Sequence, residues 1–239
     1  MRVQLAGEEL NIHKLSLGRA VRFAAAAVTA VAFAFTAGGT ATAQSAQPAA
    51  QGSVTVTTSH EADLKQALKG LTPVSLADLQ RILSQGGKGT ASPAIGFNGV
   101  YDHIINDNSG QCLAVPGGST AQGTGLIQWP CGTWNDHYWS ANYQFNAYNF
   151  NWYHVVNYNS GQCLAVPGAS TTAGTQVIQW PCGTWADHYW AFGIDTSNGK
   201  LHIINYNSGQ CLAIPGASTT AGAHVIQWPC GTWPDHYWH

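Results

Sequence analysis

Polar and apolar positions divide the chain into three stretches of different texture. Near the start lies one long apolar run, Phe23 to Ala37. Further on, apolar residues recur at helical spacing. Leu64, Leu68 and Leu71 share one face, with Gly70 to end the helix, and Leu76, Leu79, Ile82 and Leu83 form a second stripe stopped by Gly86-Gly87. Thr58 with Glu61, and Ser75 with Asp78, fit capping boxes at the two helix starts. From Phe97 the period shortens. His103 to Ile105, Cys112 to Val115, Gly125 to Trp129, and His137 to Trp139 running on toward Phe145 are short apolar or aromatic segments. Gly, Pro, Asn and Ser separate them, which predicts about four strands per unit.

The unit occurs three times. Gly110-Gln111-Cys112-Leu113-Ala114-Val115-Pro116-Gly117 recurs from Gly161 and, with Ile214 for Val, from Gly209. Ile127-Gln128-Trp129-Pro130-Cys131-Gly132-Thr133-Trp134 recurs from Ile178 and Ile226, and Asp136-His137-Tyr138-Trp139 from Asp187 and Asp235. The first cysteines are fifty-one and forty-eight residues apart. A repeat of this length sets the architecture before any single residue does. One unit cannot bury its inner face, whereas three can close a barrel about a threefold axis and leave no open edge. The fold expected is all-β. After Trp238 only His239 remains, so the strand that closes the third unit is short, and Ser53 to Thr57, with alternating Val and Thr, is a candidate to cover the edge.

Composition narrows the partners. Charged residues make up 8% of the 239 and the net charge is −2, which excludes a basic face for nucleic acid or an anionic membrane. Polarity comes instead from Asn, Gln, Ser, Thr and Gly, a surface suited to neutral polar ligands and equally to a turn-rich exported protein. Arg19 and Arg22 precede the apolar run and Ala41-Thr42-Ala43 follows it, the pattern of a secretory signal peptide over residues 1–43. The run is shorter than the roughly twenty residues a membrane span needs, so no membrane insertion is expected. Residues 44–96 read as a linker with two short helices that dock on the main domain or form a partner-binding arm. All six cysteines lie beyond Gly110, and in an exported chain an even count reads as disulfides. There is no Cys-x-x-Cys, which argues against a zinc ribbon or a thioredoxin-type site.

The repeated Asn-x-x-Ser-Gly-Gln-Cys-Leu, then Ile-Gln-Trp-Pro-Cys, then a Trp near the end of the unit, resembles the ricin B-type lectin repeat with its Gln-x-Trp signature. The resemblance covers about residues 97–239, as repeats of about 97–144, 145–191 and 192–239. It implies a β-trefoil that binds carbohydrate and is secreted. It also implies disulfides within each repeat, Cys112–Cys131, Cys163–Cys182 and Cys211–Cys230, in keeping with the common nineteen-residue spacing. The family's aromatic platform corresponds to Trp129, Trp180 and Trp228. Its polar residue just before the signature Gln corresponds to Asp136, Asp187 and Asp235, and its core Trp to Trp139, Trp190 and Trp238. Two features depart from the family. His137, His188 and His236 replace the signature Gln, and Ala114, Ala165 and Ala213 stand where galactose-binding members carry Asp.

Each candidate has a plainer reading. Trp129 and its equivalents either stack on sugar C–H faces or cover the barrel. Asp136 and its equivalents either accept sugar hydroxyls or fix a turn beside the next His. Trp134, Trp185 and Trp233 follow the cysteine turn, face solvent, and extend the platform if it exists. The Asp-His pairs sit on separate repeats, so neither a metal site nor a general base is expected, and no cofactor is implied. Nothing outside the repeats is long enough for a catalytic domain. A multivalent carbohydrate-binding protein is therefore the leading expectation, and a secreted trefoil that recognises or inhibits a protein is the alternative.

Overall fold

The computed structural model describes residues 58–74, 96–97 and 99–239. The leader, the Ser53–Thr57 segment and the second helical stripe at Leu76 to Leu83 lie outside the described residues. Helix α1 spans Thr58–Ala67, as its leucine spacing predicts. Glu61 pairs with Lys65 one turn on, at 2.6 Å. Leu64 and Leu68 are buried against Trp152, Ile204 and Tyr206, so α1 docks on the repeat domain. Gly209 leaves room for this approach, since a β-carbon there would sit 3.1 Å from Ala67 Cβ. The chain then forms strand β1, Leu71–Pro73, and β2, Gly96–Phe97.

Within the first repeat, β3 is Asp102–His103, β4 Cys112–Ala114, β5 Ile127–Trp129 and β6 Tyr138–Ala147. The second holds β7, Phe150–Asn157, β8, Cys163–Ala165, β9, Ile178–Trp180, and β10, Trp190–Asp195. The third holds β11, Leu201–Asn205, β12, Cys211–Ala213, and β13, Ile226–Trp228. The pairs β4–β5, β8–β9 and β12–β13 are three copies of one antiparallel ribbon, while β6–β7 and β10–β11 are hairpins that join successive repeats. The strand expected from His137 begins at Tyr138, because Asn135–His137 closes a 3-10 turn. β1 and β2 add to β10 and β6, pairings with no counterpart in the repeat pattern.

The threefold axis is visible in the backbone. The N–H of Leu126 bonds the carbonyl of Val177, that of Val177 bonds Val225, and that of Val225 bonds Leu126, at 2.9 to 3.0 Å. This closed ring satisfies buried polar groups that would otherwise destabilise the barrel end. Leu113, Leu164 and Leu212 fill the interior in threes, as do Ile104, Val155 and Ile203. Trp139, Trp190 and Trp238 are buried there, each indole N–H donating at 2.9 Å to the carbonyl of Leu113, Leu164 or Leu212. The short closing strand still bonds both neighbours. Trp238 N–H reaches Leu201 O, and His239 exchanges two backbone hydrogen bonds with Ile105.

Side chains also join the repeats. Asn157 Oδ1 accepts the N–H groups of Asn159 and Ser160 at 3.0 and 3.2 Å, and its Nδ2 donates to Asp136 O at 2.8 Å. Asn106 and Asn205 hold Asp235 O and Asp187 O in the same way. The disulfides are Cys112–Cys131, Cys163–Cys182 and Cys211–Cys230. Each closes a nineteen-residue separation and stabilises by about 3 kcal/mol in the chain-entropy picture.

Candidate functional site

The ribbon β4–β5 pairs Cys112 with Trp129, Leu113 with Gln128 and Ala114 with Ile127. Strand alternation turns Leu113 and Gln128 inward and sends Ala114, Ile127 and Trp129 to the outer face. A 3-10 turn at Pro116–Gly118 and another at Asn135–His137 rise beside that face. Gly117, with φ of 62°, supplies the left-handed residue the first turn requires. Together they frame a depression of about 560 Å³ whose walls include Trp129, Trp134, Asp136 and His137. The second repeat frames about 480 Å³ with Trp180, Trp185, Asp187 and His188. The third frames about 130 Å³ with Trp228, Asp235 and His236, and Trp233 does not line it. Each expected Trp–Asp pair thus meets in one depression, and the three depressions lie on separate repeats.

The tryptophans fall into three environments. Trp139 is fully buried, Trp129 is 42% exposed and Trp134 is 58% exposed. Trp134 is nevertheless held, with its ring lying against the backbone of Gly132 and beside His137, at 5.2 Å between ring centroids. Gly183 with Trp185 and Gly231 with Trp233 repeat the arrangement. The platform Trp also meets a neighbouring repeat, because a β-carbon at Gly123 would touch Trp180 at 3.4 Å and one at Gly174 would touch Trp228 at 3.4 Å.

Asp136, Asp187 and Asp235 are buried, as are His137, His188 and His236. His137 Nε2 lies 3.6 Å from Asp136 Oδ2, beyond good hydrogen-bond range, and its Nδ1 has no partner among the described residues. Burial pushes the Asp187 carboxyl up to about 6, although the backbone N–H groups of Asp187 and Val166 partly stabilise its charge. Burial pushes the His188 imidazole down to about 4, with repulsion from His154 adding to it. His137 and His236 are also lowered by burial, against the pull of the neighbouring Asp. The imidazoles therefore sit neutral behind the carboxylates. In the second repeat the carboxylate reaches the backbone of Val166, the residue after Ala165.

Sequence reasoning missed the glutamines. Gln128, Gln179 and Gln227 are fully buried. Gln128 accepts from Ser109 Oγ at 2.7 Å and donates to Ser218 O and Thr220 O of the third repeat at 2.8 and 3.0 Å. Gln128 thus joins Asn157 and its equivalents in bonding neighbouring repeats, a role the side chain of His137 does not share among the described residues. The signal was strand alternation, which places the Gln of Ile-Gln-Trp on the inner face. The donor atoms of His103, Cys112 and His137 lie within 4.8 Å of one another, as do those of His154, Cys163 and Cys182. Every cysteine of these clusters is in a disulfide and offers no thiolate, leaving two imidazoles in one and one in the other.

Three repeats, a closed ring at the axis and inter-repeat polar bonds define a β-trefoil with three like depressions on its outer face. The family model described as ricin-type beta-trefoil lectin domain-like matches residues 96–180, 140–228 and 186–239. The chain belongs to that family. Among solved structures it is similar to ThreeFoil, a designed threefold-symmetric protein, at 28% identity over 58% of this chain and 95% of that one, with a TM-score of 0.53. It is also similar to an exo-β-1,3-galactanase of Clostridium thermocellum, at 24% identity and TM-score 0.52, covering 57% of this chain but 28% of the enzyme. A Macrolepiota procera ricin B-like lectin, solved with lactose, aligns at 20% identity over 59% of this chain and 93% of the lectin, TM-score 0.50. Comparison with curated protein sequences finds no match. No helix among the described residues is long and apolar enough to cross a membrane.

Proposed function

We propose that the protein is exported and binds polysaccharide or cell-surface glycan through all three repeats at once. The observation that carries this reading is the meeting of a platform Trp and a buried Asp in each depression, the Trp exposed in the first and third repeats and half-buried in the second. An indole face stacks on the C–H side of a pyranose while a carboxylate accepts its hydroxyls. Trp134 and Trp185 give the first two sites a second aromatic wall. Asp136, Asp187 and Asp235 supply one carboxylate per site where Ala114, Ala165 and Ala213 lack one. Such shallow sites bind weakly one at a time, and three on one rigid body raise avidity by about 10²–10⁴-fold when one polymer spans them. Three disulfides and the apolar leader Phe23 to Ala37 support export.

The missing family Asp favours one other reading, a trefoil that recognises a protein through its loops. A glycan array separates the two. The expected result is selective binding to a glycan class, with retention on the corresponding insoluble polysaccharide far exceeding affinity for its monosaccharide. Replacing Trp129, Trp180 and Trp228 together by Ala is expected to abolish retention while the circular dichroism of the fold persists. Full retention by a folded triple variant removes these sites and moves the weight to protein recognition.

A further inference from the structure

The three depressions differ at one position that touches the carboxylate. The 3-10 turn that walls the site ends in Gly118 in the first repeat and in Ala169 and Ala217 in the others. All three residues are left-handed, with φ of 62°, 50° and 50°. A β-carbon at Gly118 would lie 3.8 Å from Asp136 Oδ1 and 3.9 Å from Asn159 Nδ2. The first repeat therefore has an open slot between a carboxylate oxygen and an amide, and a methyl group occupies the corresponding place in the other two. Side-chain exposure agrees, at 11% for Asp136 against 7% for Asp187 and 7% for Asp235. The depression is also largest in the first repeat.

Asn159 belongs to the second repeat. Its Nδ2 donates one hydrogen to Gly118 O at 2.8 Å, which fixes the amide at the slot. Asn207 and Asn108 hold Ala169 O and Ala217 O at 2.8 and 2.9 Å. The same scaffold is thus built three times and left open once.

Resting on the carbohydrate reading above, we infer that the first repeat carries the primary site and that Gly118 is its specificity determinant. A ligand hydroxyl enters the slot, donates to Asp136 Oδ1 and accepts the second hydrogen of the Asn159 amide. The site is then shared between two repeats. The ligand class is a neutral pyranose with a hydroxyl or hydroxymethyl group projecting beyond the face stacked on Trp129. In the second and third repeats the Ala methyl excludes that group, leaving stacking and the less accessible carboxylate.

The substitution that tests this is one the fold already accepts, since two repeats hold Ala at this left-handed position. Indole N–H signals of Trp129, Trp180 and Trp228 are followed by NMR in the full chain titrated with lactose and, separately, with xylotriose. With at least one of these sugars, the Trp129 signal is expected to move at about tenfold lower concentration than the other two, the size of one hydrogen bond to a charged group. Gly118→Ala is expected to bring Trp129 level with Trp180, and Ala169→Gly to move Trp180 toward the wild-type Trp129. Three indoles responding at the same concentration, or a Gly118→Ala variant that binds like wild type, overturns the inference and leaves the carbohydrate reading standing. Indoles that respond to neither of these two sugars, together with an empty glycan array, overturn both.

Discussion

The indole of Trp134 rests directly on the backbone of Gly132, so closely that a β-carbon at Gly132 would overlap the ring. The φ of Gly132 is not left-handed, so space rather than backbone freedom calls for glycine here. The same fit holds Trp185 on Gly183 and Trp233 on Gly231. An exposed aromatic held this way keeps its orientation and loses little entropy when a ligand stacks on it.

Changing Gly132, Gly183 and Gly231 to Ala is therefore expected to displace three indoles without unfolding the barrel. Stability is expected to fall by about 1 kcal/mol or less per site, since the turn lies at the surface. Acrylamide quenching of tryptophan fluorescence should rise and retention on polysaccharide should drop. Displaced indoles with undiminished retention would assign Trp134, Trp185 and Trp233 to the scaffold alone.

Tryptophans of one repeat are expected to differ widely in what they do for stability. Trp139 is wholly buried with its N–H satisfied by Leu113 O, so Trp139→Ala should cost about 3–5 kcal/mol. Trp129 leaves 42% of its surface in water, so Trp129→Ala should cost about 1 kcal/mol or less. Guanidinium denaturation of the two variants measures both. Equal losses would mean that the platform Trp is part of the cover of the barrel.

Gln128 tests what joins the repeats. Gln128→Leu keeps the size but leaves Ser109 Oγ without its acceptor and the carbonyls of Ser218 and Thr220 without their donor. A cost of about 1–3 kcal/mol is expected, more than for His137→Gln, because the His137 ring stands 3.6 Å from Asp136 Oδ2, beyond good hydrogen-bond range, and its Nδ1 has no partner among the described residues. Denaturation midpoints that rank the two variants the other way would return the fold-holding role to the histidine.

The contrast between these residues shows what was legible in the chain. The barrel followed from three copies of one unit, and the sorting of Trp139 inward and Trp134 outward followed from position within it. The pairing of the cysteines and helix α1 were likewise as expected, the helix because Leu64 and Leu68 share a face. β1 was not legible. Leu71–Pro73 follows a helix and carries a proline, and it becomes a strand because β10 offers an edge more than a hundred residues away. The role of Gln128 was hidden for a similar reason, since its acceptors belong to another repeat. At the candidate site, the Trp–Asp pairs were named from the resemblance to the ricin B-type repeat, but the Gly118 slot depends on Asn159 arriving from the next repeat, which no local pattern encodes.

Acid is expected to weaken the fold and to silence the second repeat's site. Burial lowers the pKa of His137, His154, His188, His202 and His236 below the ordinary 6.5. For these groups the unfolded chain binds protons first, so the stability they confer is complete above pH 6.5 and is lost as pH falls toward their folded values, about 4 for His188. Asp187 acts in the opposite sense. Its raised folded value, about 6, means that the folded state takes up the proton first, and this favours folding as pH falls from about 6 toward 3.8. Five imidazoles outweigh one carboxyl, so thermal midpoints should decline from pH 7.5 to pH 5, and a flat or rising profile would contradict the buried neutral histidines. Binding reads the same carboxyl separately. At pH 5, Asp187 is mostly protonated and is a weaker acceptor for a sugar hydroxyl. Trp180→Ala should then reduce retention less at pH 5 than at pH 7.5. An equal loss at both values would show that the second site binds without the charge on Asp187.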